Sequence, residues 1–183
     1  MTLLDIKKKV LELIEEISDG SSLTEDPDIE KKLNITINQI QYELARLKKI
    51  PSYKEIEVKE GDLIGFKDID STNEVFQISM ARGVDYEYKA DNTLIKCLED
   101  GNLEVEYYKY PIRITEDTPD TYEFELSDDV LEVLPYGVAG DVLKSDVSNN
   151  YGQIYSNRYE MMLQRLDSRY HTGSIEYIEG VEI

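Results

Sequence analysis

Histidine and cysteine are almost missing from this chain of 183 residues, which contains one of each, His171 and Cys97. One cysteine cannot form an internal disulfide, and one imidazole leaves little for histidine-based acid–base or zinc chemistry. We expect His171 to be a linker residue. We expect Cys97 to be a small buried or half-buried hydrophobe rather than a nucleophile, because no base partner is evident. The sequence therefore predicts no cofactor and no metal site, and it suits a reducing cytoplasm.

Long apolar runs are absent as well. No stretch approaches the roughly 18 apolar residues that a membrane-spanning helix needs. The first residues also lack the basic-then-apolar order of a signal peptide, so we expect neither membrane insertion nor secretion. The apolar fraction of 40% is nevertheless too high for a disordered chain.

Basic residues are scarce, with 20 lysines and arginines against 39 acids and a net charge of −19. No basic cluster is larger than Lys7-Lys8-Lys9, which argues against a face that reads DNA sequence. An acidic surface is usually only a solvated one; the alternative is a face that stays near DNA without binding it. Neighbouring carboxylates such as Glu99 and Asp100 could in principle hydrolyse glycosides. In so acidic a chain such pairs arise by chance, so this pair is almost no evidence for catalysis.

Helical periodicity marks the first 52 residues. Apolar positions spaced alternately by three and four residues predict two amphipathic helices joined by a short loop. Thr2 and Asp5 have the spacing of a capping box, and Pro27 suits the first position of the second helix. The apolar stripes are Leu3, Ile6, Val10, Leu13 and Ile17, followed by Leu33, Ile37, Ile40, Leu44 and Leu47.

Two further helical stretches are expected after the middle of the chain. The first opens at Ser127 and is interrupted by Pro135 and Gly137, which predict a kink or a restart. The second carries an apolar stripe from Tyr155 to Leu166. None of the four stripes can be buried alone, so we expect the helices from both ends of the chain to pack together.

From Tyr53 the apolar period changes to two, which is typical of strands. The clearest predicted hairpin pairs residues 93–98 with 103–110 across the turn Asp100-Gly101-Asn102, with Leu103, Val105 and Tyr107 on one face. Phe76, Ile78 and Met80 also alternate. We therefore predict a small antiparallel sheet or sandwich in this part.

These patterns divide the chain into four parts. Residues 1–52 form a helical hairpin, 53–115 an inserted β domain, 116–170 a second helical pair and 171–183 a C-terminal arm. The predicted fold class is α+β: a four-helix bundle with an inserted small antiparallel β-sheet or sandwich and an extended C-terminal arm.

Tyrosine is overrepresented, with 14 residues beside 3 phenylalanines and no tryptophan. The tyrosines either fill the edge of the core or form a subunit interface. The apolar C-terminal arm either adds a strand or lodges in a groove on another chain, or it is a frayed terminus. The candidate interface residues, towards a portal or a neighbouring subunit, are Ile175, Tyr177, Ile178, Val181, Ile183, Tyr155 and Tyr159.

The order helix–helix–sheet–helix–helix resembles head–tail connector (adaptor) proteins of tailed bacteriophages. The resemblance covers roughly residues 3–170 and is best over 103–166. It is carried by the runs LEVEYYKYPIRIT, ELSDDVLEVLPYGVAGDVLKSD and NNYGQIYSNRYEMMLQRL, and within them by Tyr108, Tyr110, Pro111, Arg158 and Tyr159. The interruption by Pro135 and Gly137 departs from the smoother helix of many such proteins.

The resemblance implies a structural virion protein without catalytic activity. Such adaptors form a ring, usually of twelve subunits, under the portal protein and extend the DNA channel towards a tail-side connector or tail protein. Packaged DNA passes through without sequence-specific binding. The implied location is the head–tail junction of the virion, after assembly in the host cytoplasm. Two alternatives stay open: an acidic interaction module, such as a DNA-mimic inhibitor, and a carboxylate-pair hydrolase.

Overall fold

The computed structural model describes residues 1–16, 23–24, 27–145 and 150–168. Its helices are α1 (Leu3–Leu13), α2 (Pro27–Leu47), α3 (Phe66–Ile69), α4 (Asp128–Leu131), α5 (Leu134–Val142) and α6 (Tyr151–Ser168). Its strands are β1 (Ile50–Val58), β2 (Leu63–Gly65), β3 (Val75–Arg82), β4 (Tyr86–Lys89), β5 (Leu94–Cys97) and β6 (Gly101–Lys109). The fold is α+β with two small antiparallel sheets.

The predicted four-helix bundle is wrong. The third helical stretch is split into the single turn α4 and the nine-residue α5, so it is too short to run beside three long helices. Helix α5 is instead apolar on nearly every side, and a helix of that kind must lie inside the protein. Helices α1, α2 and α6 each pack extensively against α5.

Two glycines of α5 allow α6 to approach closely. A Cβ atom at Gly137 would lie 2.8 Å from Cε2 of Tyr159, and one at Gly140 would lie 2.7 Å from Oγ of Ser156. Both distances are below ordinary van der Waals contact, so a larger residue would push the two helices apart. The predicted restart is found, because α4 ends at Leu131 and α5 begins at Leu134 with Pro135 in its first turn. Gly137 is not part of that break and lies inside α5 as a packing position.

The predicted boundaries of the first two helices are confirmed at their N-termini. The backbone N–H of Thr2 donates to Oδ2 of Asp5 at 2.9 Å, and the N–H of Asp5 donates to Oγ1 of Thr2 at 3.2 Å, which is the predicted capping box. Pro27 is the first residue of α2. Helix α1 ends earlier than predicted, at Leu13, and Ile17 lies outside the described residues.

The two sheets have the strand orders β1-β6-β3 and β2-β5-β4. The predicted hairpin between residues 93–98 and 103–110 is therefore wrong, because β5 pairs with β2 and β4 whereas β6 pairs with β1 and β3. Oδ1 of Asp100 accepts a hydrogen bond from the N–H of Glu60 at 2.7 Å, so the turn-like residues carry the chain from one sheet to the other. The face of Leu103, Val105 and Tyr107 is buried, as predicted.

Strand β3 does not keep the predicted alternation. Two register shifts interrupt its pairing with β6, the first after Val75 and the second after Ile78. Val75, Ile78 and Ala81 are consequently buried at intervals of three residues, while Met80 is exposed. The alternation of Phe76, Ile78 and Met80 on one face is therefore wrong at Met80, because β-bulges turn that side chain outwards.

Two hydrophobic cores result. The first surrounds α5 and also includes Ile50, Tyr110 and Ile114 at the ends of the sheet region. The second lies between the two sheets and takes residues from five of the strands. Cys97 is fully buried there, as the sequence predicted, and burial together with the charge of Asp62 raises the pKa of its thiol. The first strand begins at Ile50, slightly before the predicted boundary of the β domain.

Candidate interaction surfaces

The predicted interface residues divide into two groups. Tyr155 and Tyr159 lie on α6, whereas Ile175, Tyr177, Ile178, Val181 and Ile183 lie outside the described residues, as does His171. Both tyrosines make contacts within the subunit. The hydroxyl of Tyr155 donates to the carbonyl of Leu13 at the end of α1, at 2.5 Å. The ring of Tyr159 packs against Gly137.

The surroundings of these two phenols keep them protonated. Burial raises the pKa of Tyr155, and the charge of Glu15 acts in the same direction. Burial also raises the pKa of Tyr159, and the carboxylate of Glu43 adds to the effect. Both side chains therefore pack as neutral groups that hold α6 to α1, α2 and α5.

The exposed face of α6 carries a different set of residues. Tyr151, Ile154 and Met161 are 50%, 53% and 56% exposed, and Arg158 and Arg165 are exposed beside them. Spacings of three and four residues place all five on one side of the helix. We call Tyr151, Ile154, Arg158, Met161 and Arg165 the α6 stripe.

Sequence reasoning missed the α6 stripe because it followed the neighbouring one, from Tyr155 to Leu166, which proves to be the buried face. The signal was present: Tyr151, Ile154, Arg158 and Met161 are spaced by three, four and three residues, the same alternation of steps as in the buried stripe. An 18-residue helix with two apolar stripes on adjacent sides shows more apolar surface than one core can cover.

The outward side of the sheet β1-β6-β3 forms a second exposed surface. On this side, Glu106 of the central strand β6 pairs with Tyr53 of β1 and with Met80 of β3. In the next row, Glu104 of β6 pairs with Glu55 of β1. We call these five residues the outer sheet face. Tyr53 and Met80 are half exposed, and the face carries three carboxylates.

The guanidinium of Arg82 partly neutralises the outer sheet face. Its Nε lies 2.5 Å from Oε2 of Glu104, and its Nη2 lies 3.7 Å from Oε1 of Glu106. The carboxylates outnumber this guanidinium, so the face remains acidic. It is thus apolar and acidic, whereas the α6 stripe is apolar and basic.

A third feature is a groove of about 1120 Å³ between α2 and the segment that leaves the sheet. We call residues 111–115 the exit segment. The side chain of Asn38 holds it from α2, because Nδ2 donates to the carbonyl of Ile114 at 2.7 Å and Oδ1 accepts from the N–H of the same residue at 2.9 Å. Nε2 of Gln41 donates to the carbonyl of Ile112 at 3.2 Å. One side of the exit segment is thereby bonded to the helix.

Aromatic rings pack at one end of the groove. The ring of Tyr110 stacks on that of Tyr42, with centroids 4.9 Å apart, and lies 4.8 Å from that of Phe76. Nε of Arg46 donates to the hydroxyl of Tyr110 at 2.6 Å. This cluster joins α2 to β3 and the end of β6, which accounts for part of the tyrosine excess as core filling.

The carboxylate pair noted in the sequence is used structurally. Oε1 of Glu99 accepts from the N–H of Asp85 at 2.9 Å, and Asp100 accepts from Glu60 as described above. In the described ranges, no group of histidine, cysteine, aspartate and glutamate is arranged to hold a metal ion. Among the helices of those ranges, none is long and apolar enough to cross a membrane.

Comparison of the sequence with models of protein families and with curated proteins found no match.

Proposed function

We propose that this chain is a head–tail adaptor of a tailed bacteriophage, a subunit of a ring that lies under the portal and extends the DNA channel. The observation that supports this proposal best is the pair of unlike exposed surfaces, the α6 stripe and the outer sheet face. The sequence resemblance gives the proposal its specific biological setting.

The two surfaces suit a head-to-tail contact between copies. A closed ring needs a heterologous contact, in which one flank of a subunit binds a different flank of the next. Tyr151, Ile154 and Met161 offer apolar anchors on the α6 stripe, and Tyr53 and Met80 do so on the outer sheet face. Tyrosine, methionine and arginine are enriched in protein interfaces.

The charges of these surfaces are complementary as well. The α6 stripe carries two arginines, and the outer sheet face carries an excess of carboxylates over the one guanidinium of Arg82. Opposite charges steer the correct flanks together and disfavour contact between two identical flanks. A ring, of twelve copies as in most of the adaptors it resembles, would follow from this asymmetry.

The net charge of −19 suits a channel for DNA. Each lysine or arginine that binds a phosphate adds affinity and slows sliding, whereas an acidic wall repels the backbone. In this proposal, the portal binds one side of the ring and a tail-side connector or tail protein binds the other. The protein acts at the head–tail junction of the virion, without catalysis and without reading DNA sequence.

Charge reversal tests the proposed ring contact. Arg158→Glu should reduce assembly on the portal ring of the same phage at least about tenfold, because like charges then face each other. Glu55→Arg should have the same effect from the opposite flank. The measurement is the mass bound to purified portal rings in sedimentation.

The matched control is the double variant Gln153→Glu with Asn157→Asp, which makes the same charge change as Arg158→Glu on the polar side of α6. It should assemble normally. Normal assembly of folded Arg158→Glu and Glu55→Arg would remove the contact from the proposal. If the chain does not bind the portal but binds a basic protein tightly as a monomer or dimer, the DNA-mimic alternative is favoured. Turnover in a hydrolase assay would favour the carboxylate-pair hydrolase.

A further inference from the structure

Strand β1 has a free edge. It pairs with β6 along nine residues without a register shift, and no other described strand pairs with it. The other strands at sheet edges are less suited to further pairing, because β2 and β4 have three and four residues and β3 carries two register shifts. Short strands and bulges protect a sheet edge against added strands. Strand β1 is therefore the one long, regular edge among the described strands.

The hydrogen bonds of the central strand identify which backbone groups of β1 are free. The N–H of Tyr110, just after β6, donates to the carbonyl of Glu74 on the β3 side at 2.8 Å. Because backbone groups along a strand point alternately to its two neighbours, the odd-numbered residues of β6 bond to β1, and their partners there are the even-numbered residues. The N–H and C=O groups of Tyr53, Glu55 and Glu57 therefore point to the open side, and none of them bonds to a described residue.

Two further observations agree with this direction of the backbone groups. Pro51 has no N–H and occupies an outward-pointing position, which is where an edge strand tolerates proline. Lys54 and Glu55 lie on opposite faces of β1, and both are exposed. No described element therefore covers the middle of this edge from either side.

The free edge is acidic on the outer side of the sheet. Glu55 and Glu57 make no ion pair with a described residue. The outer sheet face behind them keeps an excess of carboxylates over the guanidinium of Arg82. The one cation of β1, Lys54, lies on the inner side, where Ile56 is half-buried. A strand added beside β1 would thus meet carboxylates on its outer side and apolar surface on its inner side.

A second copy of β1 does not suit this edge. Antiparallel pairing of two complete β1 strands sets Lys54 against the same residue of the other copy. A shift by one step sets Glu55 against Glu55 or, in the other direction, against Pro51, whose missing N–H removes a hydrogen bond. Like charges directly opposite each other destabilise a strand pair. The charges of β1 therefore disfavour self-pairing and favour a basic strand.

We propose that the free edge of β1 binds an extended segment of a partner protein in which lysine or arginine alternates with apolar residues. Backbone hydrogen bonds to Tyr53, Glu55 and Glu57 supply the pairing, and the two glutamates select the basic residues. The inference goes beyond the adaptor proposal and does not depend on it. The added strand lies beside β1, whereas the proposed ring contact covers the outer sheet face.

Hydrogen exchange resolved by residue tests the proposal on the full-length chain. The probe is a synthetic peptide as long as β1 in which lysine and valine alternate. On addition of the peptide, the amides of Tyr53, Glu55 and Glu57 should exchange at least about tenfold more slowly, because they acquire partners. The amides of Ser52 and Lys54 already bond to β6 and should change little.

Two N-methylated forms of the peptide separate strand pairing from attraction between charges. Methylation of the lysine amides alone and methylation of the valine amides alone block opposite edges of the peptide without changing its charge. The form that is blocked on the edge facing β1 should bind at least about tenfold more weakly than the other form. Equal affinities would show that charge alone attracts the peptide and would overturn the proposal.

Charge reversal on the edge gives a second measurement. Glu55→Lys with Glu57→Lys should abolish the protection, because lysines then face lysines. The control, Glu12→Lys with Glu132→Lys, makes the same charge change on exposed residues of the helical region and should retain it. Protection that survives in the folded Glu55–Glu57 variant, or no protection in the wild type, would overturn the proposal. Protection without peptide that increases with protein concentration would also overturn it, by identifying a second copy as the occupant.

Discussion

The helical and sheet regions of this protein bury their apolar residues in different ways. In the helical region, three longer helices pack around α5, whose glycines allow close approach. In the sheet region, two three-stranded sheets enclose a core, and strands distant in sequence pair with one another. The comparison teaches that local periodicity identifies which residues are buried, whereas the partners of each element depend on contacts far along the chain.

The two regions are joined by shared residues rather than by a free linker. Ile50 at the start of β1 and Tyr110 after β6 belong to the helical core, and the exit segment is bonded to α2 through Asn38. Strands β1 and β6 therefore reach from one core to the edge of the other. We expect the two regions to unfold as one cooperative unit.

The largest expected effect on stability comes from shortening a buried leucine in either core. Leu44 of α2 and Leu103 of β6 are fully buried, one in each core. Leu44→Ala and Leu103→Ala should each lower the free energy of unfolding by about 2–5 kcal/mol, because each leaves a cavity. Urea denaturation followed by circular dichroism should show one transition that both substitutions shift.

The control for Leu44→Ala is Ile35→Ala on the exposed side of the same helix, whose effect should stay within about 0.5 kcal/mol. Two separate transitions, each moved by only one of the core substitutions, would show that the regions are independent. An unmoved midpoint in Leu44→Ala would mean that α2 packs in another register.

A smaller effect is expected where the regions meet. Asn38→Ala removes both hydrogen bonds to Ile114 and should destabilise the protein by about 1–3 kcal/mol, because the backbone groups of Ile114 lose their partners. Gln39→Ala, exposed on the next position of α2, is the matched control. Hydrogen exchange of Asn38→Ala tests whether the two regions still open together. In this variant the amides of the sheet region should exchange faster than those of the helical region. Uniform opening would mean that other contacts join the two regions.

The smallest expected effect on stability comes from the carboxylate of Asp70 in the sheet region. Burial raises the pKa of Asp70, but hydrogen bonds donated by Asn73, Thr72 and the hydroxyl of Tyr107 outweigh it and lower the pKa from 3.8 to about 2. Because the folded pKa is lower than the unfolded one, the stabilisation is complete above pH 3.8 and is lost as the pH falls towards 2. After screening by solvent, it should contribute about 1–2 kcal/mol.

Asp70→Asn should therefore be less stable than the wild type above pH 3.8, and the difference should shrink as the pH approaches 2. Urea midpoints measured across this range check the expectation, with the exposed Asp117→Asn as control. A difference that stays constant with pH would show that the ionised carboxylate of Asp70 does not carry the stabilisation.

The sequence predicted the elements of this fold better than their arrangement. The capping box at Thr2, the start of α2 at Pro27 and the buried face of Leu103 depend on spacing within a few residues. The predicted pairing of β5 with β6 failed because β5 pairs with β2 and β6 pairs with β1 and β3, partners distant in sequence that no local turn pattern reveals. The prediction of a four-helix bundle was wrong because the chain breaks before α5. The remaining helix is short and apolar on nearly every side, so it lies at the centre of the other helices.

The candidate surfaces were predictable only in part. The excess of tyrosine indicated contacts, but the chosen residues, Tyr155 and Tyr159, pack inside the subunit. On α6 the buried and exposed stripes have the same spacing, so only the position of α5 distinguishes them. The groove depends on Asn38 meeting residues more than seventy positions later, a contact that periodicity does not encode.

The adaptor proposal can be tested most directly by negative-stain imaging of the full chain mixed with the portal protein of its own phage. The account predicts particles in which a second ring of this chain covers one end of the portal, coaxial with its channel. Portal rings that remain bare at concentrations where the chain is folded and in excess would contradict it.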